Sequence, residues 1–168
     1  EIVRKAQSQI PYVGLPVTRQ ALPNDIAMKV DSMAVGQTTK PFESTGDNTL
    51  NVVKLIAKLQ MPDSVEYRMI QVGAETAEAA AKRADSIYTA LKGGADFEAL
   101  AKKYGQTAEK QWHTSQMYER MTTPDADTKE YLTSLTTLGV NELKNLALTQ
   151  GNIIFQVTNR KNMIDKFD

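Results

Sequence analysis

Few side chains in this sequence are equipped for covalent or proton-transfer chemistry. The chain has no cysteine and a single histidine, His113. The first absence removes disulfides, thiolate nucleophiles and cysteine metal sites together. The second leaves no histidine cluster, so neither a metal nor a cofactor is expected. His113 stands in a polar run, Gln111-Trp112-His113-Thr114-Ser115, where the sequence identifies no partner for proton transfer, and it reads as an exposed loop residue. Gly93-Gly94 is too sparse for a phosphate loop and serves better as a helix stop. The Lys82-Arg83 and Lys102-Lys103 pairs read as solvated helix faces. Twenty basic and twenty acidic residues cancel, which argues against a nucleic-acid partner held by phosphate contacts.

At 168 residues, 41% hydrophobic and 24% charged, the chain has an ordinary globular composition and enough length for one large or two small cores. No apolar run reaches membrane-spanning length. Glu1 opens the sequence without a signal peptide, so the chain reads as a processed protein or an excised piece. The lack of cysteine is compatible with an oxidising compartment.

The elements that would position any site are clearest between Glu75 and Tyr104. Ala77, Ala80, Ala81, Ala84, Ile87, Tyr88 and Leu91 recur at steps of three and four, with Thr76 as N-cap and Gly93-Gly94 as stop. A second short helix follows at once, capped by Asp96, with Phe97, Leu100, Ala101 and Tyr104 on its inner face and Gly105 at its end. Two amphipathic helices after the strand-like run Val65–Val72 call for a sheet to cover. Later, Thr123-Pro124-Asp125 predicts a helix with proline in its first position, containing Leu132 and Leu135 and stopped by Gly139. Ile153–Val157 predicts a strand after the turn at Thr149–Asn152.

The N-terminal third carries the same order. Ile10–Pro16 reads as extended, Asn24–Val35 as a helix stopped by Gly36, Ser44–Asn48 as a turn and Leu50–Ile56 as a strand. Val30, Met33 and Val52 match Leu132, Leu135 and Ile154 at one spacing, since 132 − 30, 135 − 33 and 154 − 52 all equal 102. An internal repeat accounts for this.

The stretch Gly-Ala-Asp-Phe-Glu-Ala-Leu-Ala-Lys-Lys-Tyr at 94–104 resembles the second helix of parvulin-type peptidyl-prolyl isomerases, and with its flanking strands the likeness covers Val65 to Arg160. Met33–Phe42 is similar to that family's turn into its closing hairpin, and Gln20-Ala21-Leu22-Pro23 to its entry into the preceding helix. The resemblance implies an α+β fold of the FKBP-like kind: an antiparallel four-stranded sheet covered by helices, with Val65–Val72 and Ile153–Val157 as central neighbours. It divides the chain into residues 1–60 as the C-terminal half of a first module, 61–64 as a linker, 65–160 as a complete second module and 161–168 as a tail. Tandem units of this kind resemble envelope foldases of the SurA and PpiD type. That implies a periplasmic or envelope location and, as partners, unfolded or proline-containing polypeptides and other modules of the parent chain. No nucleic-acid partner and no membrane span are expected.

Active parvulins place a histidine in the first strand, another in the last strand, and an Asp or Cys between the helices and the second strand. Here Met69 takes the first histidine position and Ile153 the second, and the loop Gly105–Trp112 offers no clear Asp or Cys. In the partial module, Asn51 stands at the last-strand histidine position and Ala21 at that of the pocket methionine. The catalytic set is therefore read as empty. An apolar patch of Met69, Trp112, Met117 and Ile153 is left to bind substrate, methionine being adaptable toward varied apolar segments. Met69 and Ile153 read equally well as filled core positions. The expected function is a non-catalytic client-binding or scaffolding part of an envelope isomerase or foldase. A prolyl isomerase with a diverged site and a structural spacer are the alternatives.

Overall fold

The computed structural model describes residues 14–114 and 124–168. Its elements in chain order are β1 (Val17–Thr18), α1 (Asn24–Ser32), β2 (Phe42–Ser44), β3 (Thr49–Asn51), β4 (Lys58–Val72), α2 (Ala77–Lys92), α3 (Phe97–Lys103), β5 (Gln111–Thr114), α4 (Ala126–Thr137), β6 (Leu143–Leu148) and β7 (Gly151–Phe167). The described residues fall into two units. One holds residues 14–61, Pro124 and Met163–Asp168; the other holds Pro62–Thr114 and Asp125–Asn162. Strands β4 and β7 each contribute to both.

In the first unit, α1 buries Ala27 and Val30, and Val30 packs with Leu55 and Phe167, flanked by Leu22, Ile26, Met33 and Val53. The helix ends three residues earlier than the expected Val35. The amides that would prolong it are taken elsewhere: Ala34 N donates to Gln37 Oε1 (2.9 Å) and Gly36 N to Leu55 O (2.7 Å). Leu50–Ile56 is not a continuous strand. It gives the three-residue β3, paired with β2, and then one bridge, Thr38 to Lys54. Met61–Ser64, expected as a linker, lies inside β4, which runs from one unit into the other. The expected tail, residues 161–168, completes β7. It is held there because Phe167 is buried, Lys166 and Phe167 pair with β1, and Asp168 exchanges backbone hydrogen bonds with Ala57, both 3.0 Å.

In the second unit the sheet order is β5-β4-β7-β6, so the first and last strands of the unit are central neighbours, as the parvulin likeness implies. Alternation along a strand sends successive side chains to opposite faces. Ile70, Val72 and Ile154 pack under Ala84, Ile87 and Leu91 of α2 and Phe97 and Ala101 of α3. Val65, Tyr67, Phe155 and Val157 form the other face with Leu135 of α4 and Leu146. Three side-chain caps start the helices. Thr76 accepts from Ala79 N (3.2 Å), Asp96 from Glu98 N and Ala99 N (2.7 and 3.1 Å), and Asp125 from Thr128 N (2.7 Å). Because Asp125 is the cap, Pro124 precedes α4 instead of opening its first turn. Gln111–Thr114, expected as a polar loop, is an edge strand. His113 faces Val65 across the β5–β4 pair and is half-buried, not an exposed loop residue.

The two units close their hairpins in the same way. In the first, Gly36 N donates to Leu55 O (2.7 Å) and Leu55 N to Gln37 O (3.0 Å). In the second, Asn141 N donates to Val157 O (2.7 Å) and Val157 N to Glu142 O (3.2 Å). Leu55 and Val157 stand at the same spacing as the pairs seen in the sequence, since 157 − 55 is again 102. The hairpin loops differ, with residues 45–48 joining β2 to β3 and only Thr149-Gln150 joining β6 to β7.

Two features of the β6–β7 hairpin generate tests. Gly151 has φ +137, and a Cβ added there would lie 2.7 Å from Val72 O, a backbone atom that cannot swing away. Gly151→Ala is expected to destabilise the second unit by roughly 1–3 kcal/mol. Urea unfolding followed by the fluorescence of the chain's one tryptophan, Trp112 of this unit, checks it. An unchanged midpoint would contradict the close approach. Asp127 Oδ2 accepts from Thr149 Oγ1 (2.6 Å) and Thr149 N (2.9 Å), tying α4 to the hairpin tip, and the Thr149 hydroxyl is the main cause holding its carboxyl below the ordinary 3.8. A depressed folded-state pKa gives stabilisation that is complete above the unfolded value and lost as pH falls through the lower folded one. Asp127→Asn is therefore expected to flatten the loss of second-unit stability below about pH 4. Parallel acid curves for the variant and the parent would reject the tie.

Candidate active site

The positions at which the parvulin likeness places catalytic side chains lie on the face of β4 and β7 that α4 covers. Met69 and Ile153 are both half-buried there, packed against one cluster of Val65, Tyr67, Leu135, Leu146, Phe155 and Val157. The structure therefore brings these two predicted residues onto one face. It does not add Trp112 to them. Across the antiparallel β4–β5 pair Trp112 stands opposite Glu66, and directly opposed residues point to the same side, so Trp112 belongs to the even-numbered face of β4. There it is 38% exposed, with Lys161 Nζ 4.3 Å from its ring centroid. Met117 lies outside the described residues. The expected four-residue patch is thus a pair, Met69 and Ile153, with Trp112 on the opposite surface.

Polar groups on the Met69 face come from residues that sequence reasoning passed over. The ring of Tyr131 in α4 packs edge-on between those of Tyr67 and Phe155, with centroids 6.3 and 5.6 Å away. Burial, then the hydrogen bond to Tyr67, pushes the Tyr131 phenol well above its ordinary 10, so it stays a neutral donor at any physiological pH. Tyr67 Oη in turn donates to Gln111 Oε1 at 3.5 Å, the outer limit of such a bond. The period-two alternation Val65, Tyr67, Met69 was readable and marks Tyr67 as a neighbour of the site. Tyr131 comes from a distant helix, and nothing local in the sequence points to it.

His113 shares the face but not the place. It pairs with Val65, four residues before Met69, which is roughly 13 Å along the strand. The loop after α3, which offers no clear Asp or Cys, holds a structural device. β5 extends along β4 only as far as Tyr67, and beyond it the side chain of Gln106 takes the role of a strand: its Oε1 accepts from Gln71 N (2.8 Å) and its Nε2 donates to Gln71 O (2.7 Å). On the other face Arg68 is similarly committed, with Nε and Nη2 on Gln156 Oε1 (3.1 and 2.9 Å) and its guanidinium 4.6 Å from the Phe97 ring centroid.

Among the described residues, no group of three His, Asp or Glu side chains is placed to hold a metal ion, and no helix is long and apolar enough to cross a membrane. Two open clefts, of about 510 and 460 Å³, lie elsewhere. One sits between Asn24–Met28 and Ser44–Asp47 of the first unit, the other between Tyr88–Lys92 and Asn141–Leu143 of the second, and neither is lined by Met69 or Ile153.

Comparison with known proteins agrees with the topology. No curated protein matches the chain. Residues 50–161, more than half of it, match the PPIC-type PPIase domain, a rotamase family, and this span contains β4 to β6, α2 to α4 and all but the last residues of β7. With the β5-β4-β7-β6 sheet, the helix pair on one face and α4 on the other, the chain belongs to the PPIC-type peptidyl-prolyl isomerase family.

Proposed function

We propose that this chain is part of an envelope foldase of the SurA and PpiD kind, whose module at residues 65–160 holds proline-containing or unfolded polypeptide without isomerising it. Family membership supports a substrate of the X-Pro class. The observation that carries the non-catalytic reading is the packing of Met69 and Ile153 into one apolar cluster where the family likeness places imidazoles. Isomerisation crosses a barrier of roughly 18–20 kcal/mol by twisting an amide. An apolar surface can hold the proline, but a thioether and an alkyl group donate no hydrogen bond to the twisted carbonyl or nitrogen. Support for the envelope location is the tandem likeness and a sequence without cysteine.

The tandem reading, with residues 1–60 as the C-terminal half of an earlier module, is supported by the matched hairpin closure and by matched cores. Met33, Val53 and Leu55 around α1 stand 102 residues before Leu135, Phe155 and Val157 around α4, since 135 − 33, 155 − 53 and 157 − 55 agree.

A diverged isomerase remains the second reading, favoured by one observation: the phenols of Tyr67 and Tyr131 lie on the same face, and burial keeps that of Tyr131 protonated. A protease-coupled prolyl isomerisation assay separates the two. The chain is expected to leave the X-Pro rate at its uncatalysed value, and Met69→His with Ile153→His is expected not to restore family-level rates, because the loop Gly105–Trp112 offers no clear Asp or Cys. The same chain is expected to delay aggregation of an unfolded client, and Met69→Asp to abolish that delay. A robust rate from the unmodified chain that is lost in Tyr131→Phe would establish the diverged enzyme. Absence of both rate and client protection would leave the spacer role.

A further inference from the structure

Among the described residues, nothing covers the hairpin face opposite α1, whereas the corresponding face in the second unit is covered. Val52 is 59% exposed and Leu50 70%. At the spacing of 102, Val52 corresponds to Ile154, which is 0% exposed, and Leu50 to Asn152, which is 8% exposed. In the second unit Ile154 is covered by Ala84, Ile87 and Leu91 of α2 and Phe97 and Ala101 of α3, and β7 has β4 as its neighbour. The backbone tells the same story. Val53 and Leu55 bond toward Thr39 and Gln37, so the alternate Leu50, Val52 and Lys54 turn their amides to the other edge. Among the described residues β2 and β3 form a two-stranded sheet with nothing paired on that edge. An exposed strand edge with an apolar face is a template for strand addition.

We infer that the outer edge of β3, with the face carrying Leu50 and Val52, is an acceptor surface for a strand followed by two amphipathic helices, of the kind that β4, α2 and α3 form in the second unit, provided by another stretch of the full-length polypeptide. This rests on the reading of residues 1–60 as a half-module. The added strand would take the free edge, and the helix pair would cover Val52 with small and aliphatic side chains, as Ala84, Ile87 and Leu91 cover Ile154. A hairpin of this size with one bare face is marginal by itself, and the missing element supplies the second side of its core.

Hydrogen exchange resolved to single amides tests the inference. In the 168-residue chain the Leu50, Val52 and Lys54 amides are expected to exchange rapidly. In the full-length polypeptide they are expected to slow by about a hundredfold or more, and to return to the fast rate when the strand-helix-helix segment is deleted. Equal rates in both proteins would overturn the inference. So would slowing that grows with the concentration of the 168-residue chain, which marks a second copy, or slowing that needs an added unfolded polypeptide, which marks a client. The half-module reading fails on a different observable, an experimental structure in which Asn24–Leu55 does not overlay on Ala126–Val157.

Discussion

Strand β7 must be buried on both of its faces at once. Ile154, Phe155 and Val157 are each 0% exposed, and consecutive residues of a strand point in opposite directions. Burying one such side chain is worth roughly 1.5–3 kcal/mol, so leaving either face bare would forfeit a sizeable part of a domain's net stability. The second unit meets the requirement with α2 and α3 over Ile154 and α4 over Phe155 and Val157. Gly151 permits the approach: only the absence of a Cβ lets β7 run so close to Val72 O. In the first unit the β2–β3 hairpin has α1 on one face and, among the described residues, no cover on the other, which is why the hairpin exposes Leu50 and Val52 and not Val53 and Leu55.

The same two-sidedness decides what chemistry the fold can offer. Odd-numbered residues over Val65–Val72 of β4 and Gly151–Val157 of β7 face α4, so Met69 and Ile153 meet there, beside the phenols of Tyr67 and Tyr131. Even-numbered residues face the helix pair, where Arg68 is tied to Gln156 and stacked on Phe97. The apolar and charged parts of the strand Tyr67-Arg68-Met69 are thereby kept apart by one sheet thickness. In the role proposed, this apolar face holds a proline ring without assisting rotation about its amide.

Much of this was legible because it is periodic. The stripe from Ala77 to Leu91 and the caps Thr76 and Asp96 gave α2 and α3 to within two residues, and the motif at 94–104 led to the sheet order that the structure has. What escaped the sequence depends on contacts between distant segments. Residues 161–168 look like a polar tail, and become strand only because Phe167 and Asp168 find β1, Leu55 and Ala57. Gln111–Thr114 looks like a loop because an edge strand four residues long carries too little alternation to read, and its register, which sends Trp112 away from Met69, cannot be known until Glu66 lies opposite. Gln106 acting as a surrogate strand has no sequence signature at all.

The central claim is that the Met69–Ile153 face holds an X-Pro segment and does not turn it. Methyl-detected NMR of the 168-residue chain titrated with a proline-containing peptide reads both halves at once. The account predicts shifts at the Met69 ε-methyl and Ile153 δ1-methyl, without exchange peaks linking the cis and trans forms of the peptide. Exchange peaks between those forms would show catalysis, and silent Met69 and Ile153 methyls would show that the face is closed core; either result would contradict it.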